Sequence, residues 1–177
     1  MRNDLPAGVR LLPLVTHHDD RGLFTEVYRE SWDTGIVPVQ WSFARSAAGS
    51  LRGVDVHLRD DHYLILVQGR ACVGLRDLRR GSPTEGLPAL VELHGDRLLA
   101  LTIPRGVAHG LYAEEDCEHV VAASQYWDPH DVFSCNWADP ALEIRWPMTS
   151  ARVSERQTSA PPLSDLLAQL EPYQPIG

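Results

Sequence analysis

The sequence predicts an all-β protein, an antiparallel sandwich or barrel carrying one short helix near its C-terminus. Two observations carry this reading. Apolar runs are short and end in turn residues, and Gly, Pro and Asp clusters separate them, with no long helical period. Only residues 162–170 show a helical stripe, with Ser164 as the expected N-cap.

The strands follow in order. Leu64-Ile65-Leu66-Val67 stops at Gln68-Gly69, and Ala71-Cys72-Val73-Gly74-Leu75 follows that turn. Leu98-Leu99-Ala100-Leu101-Thr102-Ile103 ends at Pro104, and Val120-Val121-Ala122-Ala123 leads to Tyr126-Trp127. Residues 149–161, rich in Ser, Thr, Arg and Pro, read as a linker wrapping back over the barrel. The 177 residues suit one domain, with a C-terminal arm and helix over about 149–177.

Composition sets limits on function. A 44% hydrophobic and 23% charged chain is ordinary for a soluble globular protein. A net charge of -8 argues against a broad nucleic-acid or anionic-membrane surface. No run approaches a membrane span, and no signal-type apolar stretch opens the chain. Cys72, Cys117 and Cys135 form no CxxC motif and have no context for a nucleophile, so a reduced, cytoplasmic protein is expected.

Four residues of metal-ligand type stand at a suggestive spacing. Three lie in Gly49-(x5)-Asp55-x-His57-(x4)-His62-(x6)-Gly69 and the fourth in Pro104-x-Gly106-(x2)-His109. Residues i and i+2 of a strand share a face, so Asp55 and His57 point the same way. His62 is expected on the next, paired strand, and His109 from the opposite strand after its Pro-x-Gly turn. Three imidazoles and a carboxylate suit a divalent first-row transition metal (Fe, Mn, Ni, Co or Zn), with no organic cofactor expected. The plainer alternative is a pair of surface histidines in the polar turn Leu58-Arg59-Asp60-Asp61-His62. The Asp60-Asp61 and Glu114-Glu115-Asp116 runs read as solvated loop charges, and Trp41, Trp127, Trp137 and Trp146 as core, with pocket lining as the alternative.

Several segments carry a family resemblance. They are Asp20-Arg21-Gly22-Leu23-Phe24-Thr25-Glu26, Leu51-Arg52-Gly53, Asp77-Leu78-Arg79-Arg80-Gly81-Ser82-Pro83-Thr84-Glu85-Gly86 and Ile103-Pro104-Arg105-Gly106-Val107-Ala108-His109-Gly110. Trp137-Ala138-Asp139-Pro140 and Ile144-Arg145-Trp146-Pro147 close the series. In this order the chain resembles the dTDP-4-dehydrorhamnose 3,5-epimerases. The resemblance implies a cupin-type jelly roll, a homodimer and a dTDP-sugar substrate. It implies that Arg21, Phe24, Glu26, Gln40 and Arg52 hold the nucleotide, with Arg21 to Glu26 acting across the dimer. Their chemistry fits, since Arg forks pair with phosphate and an aromatic face stacks on a base. For Arg21 the alternative is a turn residue paired with Asp19 or Asp20.

The family's catalytic positions are altered. Asp55 stands where the family has its catalytic His, Val121 or Ala122 where it has Tyr, Trp127 at a second Tyr, and Gln157 at the partner Asp. Val and Ala neither donate nor accept a proton, so the usual mechanism cannot run unchanged. Metal-binding cupins carry a carboxylate ligand at the place of His62. Without a metal, His57 is the expected base with Asp55 orienting it, Tyr126, Tyr63 or Tyr112 the acid, and His109 the group that steadies the enolate.

Overall fold

The computed structural model describes residues 4–170. Its strands are β1 (Arg10–Pro13), β2 (Thr16–Asp19), β3 (Gly22–Thr25), β4 (Gln40–Ser46), β5 (Leu51–Val56), β6 (His62–Gln68), β7 (Arg70–Asp77), β8 (Pro88–His94), β9 (Leu99–Ile103), β10 (Val107–Ala113), β11 (Cys117–Ala123) and β12 (Phe133–Ser134). Two sheets face each other in a jelly roll, ordered β1-β9-β6-β11-β4 and β12-β5-β10-β7-β8, and β2-β3 forms a separate hairpin. All four runs named from the sequence are strands; three extend beyond the run, and the fourth, β9, starts one residue later, at Leu99.

Parity along β6 sets the architecture. Leu64 and Leu66 enter the core between the sheets with Val73, Leu75, Val91, Leu93, Leu101, Ile103 and Leu111. Tyr63 and Ile65 are buried on the other face with Ile36 and Ala100, beneath Leu12, Leu14 and Tyr28. Both faces of β6 are covered, so its sequence is a continuous apolar run rather than an alternation. Each fully buried Leu, Ile or Val contributes about 1.5–3 kcal/mol.

The other face of the second sheet is closed by the C-terminal segment. Helix α2 (Leu163–Leu170) sets Leu163, Leu166 and Leu170 over Val54, Val56 and Ala108. Its first N–H, that of Leu163, donates to Asp139 Oδ2 at 2.7 Å. The cap therefore comes from a distant loop, and Ser164 lies inside the helix with its hydroxyl on Asp165. Residues 149–161 are more than a linker. Arg152 bridges Ser50, and helix α1 (Glu155–Thr158), capped by Ser154, buries Gln157. The part of the expected C-terminal arm over 171–177 lies outside the described residues.

The Asp77 to Gly86 motif is a structural turn. Fully buried Asp77 accepts from Arg79 Nε at 2.8 Å, Ser82 Oγ at 2.7 Å and Thr84 Oγ1 at 2.6 Å. No described helix is long and apolar enough to cross a membrane.

Candidate active site

Three histidines converge at one end of the sandwich. His109 shares its face of β10 with Val107 and Leu111, so parity turns it into the space between the sheets. His62 shares its face of β6 with Leu64. His57 lies just past the end of β5, where its carbonyl accepts from Gly106 N–H at 2.7 Å. Gly106 has φ +78°, a left-handed conformation that glycine adopts without strain. The Pro-x-Gly turn thus ties the start of β10 to His57.

The expected strand placements need correction. β6 is not the partner of β5 but belongs to the opposite sheet, beside β9 and β11. β10 is the direct neighbour of β5, with His109 opposite Asp55. His62 therefore reaches the cluster across the sandwich, and His109 reaches it from the adjacent strand.

The ring nitrogens of His57, His62 and His109 include one from each residue within 4.8 Å of one another. The ring centroids are 4.5 Å apart for His57 and His62, 5.0 Å for His62 and His109, and 5.8 Å for His57 and His109. His62 Nδ1 lies 3.0 Å from His109 Nε2. On the outer edges, His62 Nε2 lies 3.1 Å from Asp60 Oδ2, and His109 Nδ1 lies 3.1 Å from the Val107 carbonyl. Burial pushes His109 well below the ordinary imidazole range, and His62 and His57 push it further. Burial also lowers His57, with His62 adding to the effect and Asp55, Asp60 and Asp131 opposing it. Both rings are neutral near pH 7, fit to take a proton or donate a lone pair.

Asp60 is not a solvated loop charge. Its side chain is 10% exposed and accepts from Ser124 Oγ, the Gln125 N–H and the His62 ring. Burial alone would raise its carboxyl. Hydrogen bonding and charge from His62, with help from Gln125 and His57, outweigh that and leave it below its ordinary value. Asp61 pairs with Arg105 Nη2 at 2.9 Å. Beside the cluster opens a cavity of about 450 Å³ lined by His57, Arg59, Asp60, Arg105, Tyr126 and Trp127, among others.

Asp55 does not join the imidazoles. Its Oδ1 accepts from Ser134 Oγ at 2.6 Å and Gln157 Nε2 at 2.7 Å, and its Oδ2 from Arg156 Nη2 at 2.9 Å. It lines a second cavity, of about 600 Å³, with Ser46, Arg52, Arg152 and Gln157. The expectation of Asp55 as a fourth ligand is corrected on this ground, because three donors take up its oxygens. Asp55 and Gln157, expected from the sequence to stand where the family has its His and Asp, are in direct contact all the same. The backbone before Asp55 is pressed against β10. A Cβ on Gly53, which has φ +99°, would sit 2.5 Å from the His109 carbonyl, so only glycine fits.

The expected tyrosines separate clearly. Tyr63 is buried on the outer face, its hydroxyl on the Val27 carbonyl and its pKa pushed up by burial to about 12, so it is no acid for this site. Tyr112 has the opposite parity to His109 on β10. Tyr126 is exposed on the wall of the His57 cavity. Val121 packs against the core between the sheets, whereas Ala122 is buried on the outer face, so Val121 is the inward-facing residue of the pair.

The nucleotide positions are dispersed over one chain. Arg52 lines the Asp55 cavity, its Nε donating to Ser46 Oγ at 2.7 Å. Gln40 Oε1 accepts from the Trp127 N–H at 2.9 Å. Glu26 pairs with Arg29. Arg21 and Phe24 are exposed on the β2-β3 hairpin, with Arg21 Nη2 2.5 Å from Asp19, the turn pairing weighed from the sequence. Sequence reasoning missed Asp60 as a histidine partner and Ser134 as a partner of Asp55. It also missed His119, buried on β11 with Nδ1 unpaired and its pKa lowered by burial, then by Arg52, to about 4. Burial also raises Cys72 and Cys135 to about 12, which agrees with the absence of a thiolate nucleophile.

A jelly roll with half-buried imidazoles between its sheets and arginines around two cavities has the build of a cupin-type enzyme for small molecules. Comparison with known proteins narrows this. The dTDP-4-dehydrorhamnose 3,5-epimerase family model matches residues 5–165. The chain is 34% identical over 178 residues to the dTDP-4-dehydrorhamnose 3,5-epimerase of Sinorhizobium fredii, covering 90% of this chain and 87% of that one. It is 32% identical over 150 residues to the enzyme of that name from Neisseria gonorrhoeae, covering 81% of this chain but 46% of that relative's length. In structure it is similar to the dTDP-6-deoxy-D-glucose-3,5-epimerase of Legionella pneumophila solved with dTDP-4-keto-L-rhamnose. There the TM-score is 0.87 and the identity 28%, covering 95% of this chain and 94% of that one. The chain belongs to the dTDP-4-dehydrorhamnose 3,5-epimerase family.

Proposed function

We propose that the protein acts on a dTDP-linked 4-keto-6-deoxy sugar, exchanging the hydrogen beside the keto group and so inverting C3, or C3 and C5. One observation carries this reading. Three imidazoles, two of them held neutral by burial, meet beside a cavity wide enough for a sugar, within a fold whose relatives are named for this reaction. The proton passes to the imidazole cluster or to a water it holds, rather than to Asp55, whose oxygens already accept from three donors. Tyr126, on the same cavity wall, is the candidate acid for the opposite face of the sugar. Arg52 takes the diphosphate. Arg21 and Phe24 reach the nucleotide from a second copy, because in one chain they are exposed on a hairpin away from Arg52.

A homodimer is part of this reading. Trp41, Phe43, Val39, Leu23 and Phe24 are exposed apolar residues, several of them on the edge strand β4 and the β2-β3 hairpin, and a second copy would cover them. Buried, unpaired Cys72, Cys117 and Cys135 agree with a reducing, cytoplasmic setting.

The test is incubation with dTDP-4-keto-6-deoxyglucose in deuterated water. Deuterium entering C3, with or without C5, is the expected result. Tight binding with no exchange would instead favour a nucleotide-sugar binding protein.

A further inference from the structure

We infer that His57, His62 and His109 bind one divalent first-row transition-metal ion, with coordination positions left open toward the cavity. The argument starts from where the ring hydrogens must lie. His109 Nδ1 faces the Val107 carbonyl, which only accepts, so Nδ1 carries the hydrogen and Nε2 a lone pair. His62 Nε2 faces the Asp60 carboxylate, so that nitrogen carries the hydrogen and Nδ1 a lone pair. The two lone pairs then point at each other across 3.0 Å. Such an arrangement holds only with a cation between them, either a second proton on His62 or a metal ion.

A proton explains two of the rings and leaves the third without a role. His57 brings a nitrogen within 4.8 Å of the other two, and among the described residues its ring has no hydrogen-bond partner. A metal ion explains all three. Two nitrogens each about 2.1 Å from one ion are about 3.0 Å apart at a right angle and about 3.4 Å apart at the tetrahedral angle, so the His62–His109 separation needs little change to admit an ion. The outer contacts, Asp60 on His62 and the Val107 carbonyl on His109, are those that fix the tautomer of a metal-bound imidazole. With Asp55 engaged elsewhere, the ligands are three neutral nitrogens, which suit Zn, Co, Ni or Fe and leave a position for water or a keto oxygen.

What the ion does rests on the function proposed above. Bound there, it would supply a Lewis acid toward the keto oxygen or a bound water, with His57, His62 and His109 holding it through their ring nitrogens. Loss of the family's His and Tyr is then compensated at a new place.

The test uses untagged, chelator-treated full-length protein titrated with Co²⁺ and Zn²⁺, followed by calorimetry and by the visible Co²⁺ absorption. One ion per chain is expected, with nitrogen-ligand absorption bands. His62→Ala and His109→Ala should each weaken binding at least 100-fold, and Asp60→Asn about 10- to 100-fold. His119→Gln, outside the cluster, should leave it unchanged. Circular dichroism of each variant guards against misfolding, and the wild-type Co²⁺ spectrum needs no variant at all. Absence of stoichiometric binding, or a spectrum unchanged in His109→Ala, would overturn the inference. Deuterium exchange that persists without metal would overturn the ion's part in the reaction. Metal binding without exchange would sink the sugar reading and favour another metal-dependent reaction on this scaffold.

Discussion

Asp55 and His57 are two residues apart, expected from parity on one strand face, and yet end in opposite circumstances. Asp55 is held by Ser134, Gln157 and Arg156, its oxygens all engaged. His57 leans on two other imidazoles and fronts an open cavity. β5 ends at Val56, so Asp55 is pinned between β10 and β12 while His57 follows the chain toward the Gly106 turn. The first surroundings suit a group that positions structure. The second suit a group that does chemistry.

The largest effect should separate the two regions by turnover. His109→Ala removes one imidazole of the cluster and should lower kcat by about 10²- to 10⁴-fold, the range for a proton-transfer group. Asp55→Asn keeps an acceptor for Ser134 and Gln157 and should lower kcat less than tenfold. Its main cost is stability, on the order of 1–3 kcal/mol from the disturbed buried hydrogen bonds. Steady-state kinetics beside urea unfolding reads both quantities. Equal losses of kcat in the two variants would erase the distinction drawn between Asp55 and His57.

Much of this was legible in the chain. Turn-bounded apolar runs gave four of the described strands, the ordered motifs gave the family, and residue spacing gave the three histidines. What spacing could not supply was pairing. Parity placed Asp55 and His57 on one side, but the donors that claim Asp55 come from residues 134, 156 and 157, up to about a hundred positions away. The same holds for the α2 cap, where Asp139 outcompetes the local Ser164. Asp60 read as a loop charge because its sequence neighbours are charged. Only the fold shows Ser124, Gln125 and His62 closing over it.

Acid should next break the interior before it reaches the carboxylates. Burial lowers His119 to about 4, from an ordinary value of 6.5, and lowers His57 and His109 as well. A group depressed in the folded state binds its proton more readily when unfolded. Its stabilising effect is therefore complete above pH 6.5 and is lost as pH falls from there toward 4. For His119 alone the loss is on the order of 3 kcal/mol. Urea unfolding at pH 7.5, 6, 5 and 4.5 should show the decline, with a shallower slope in His119→Gln. An identical slope in that variant would mean the ring is not protected from protons.

The smallest effects lie on the nucleotide side and test whether the exposed hairpin serves the same ligand as the Asp55 cavity. Arg52 is already oriented by Ser46 and the Arg45 carbonyl, so its guanidinium needs little rearrangement to meet a phosphate. Arg52→Ala should weaken dTDP binding about 10- to 100-fold, as for a charged hydrogen bond. Arg21 must first leave Asp19 and then act from a second copy, so Arg21→Ala should weaken dTDP by a smaller factor. Calorimetric titration with dTDP alone, at concentrations where light scattering reports a dimer, measures both. Mixing Arg21→Ala with Arg52→Ala protein then sharpens the result. If the hairpin crosses between copies, half of the sites in a mixed dimer regain both arginines and wild-type affinity returns for that half. Only the two weakened parental affinities in the mixture, with no wild-type class, would confine each arginine to its own chain.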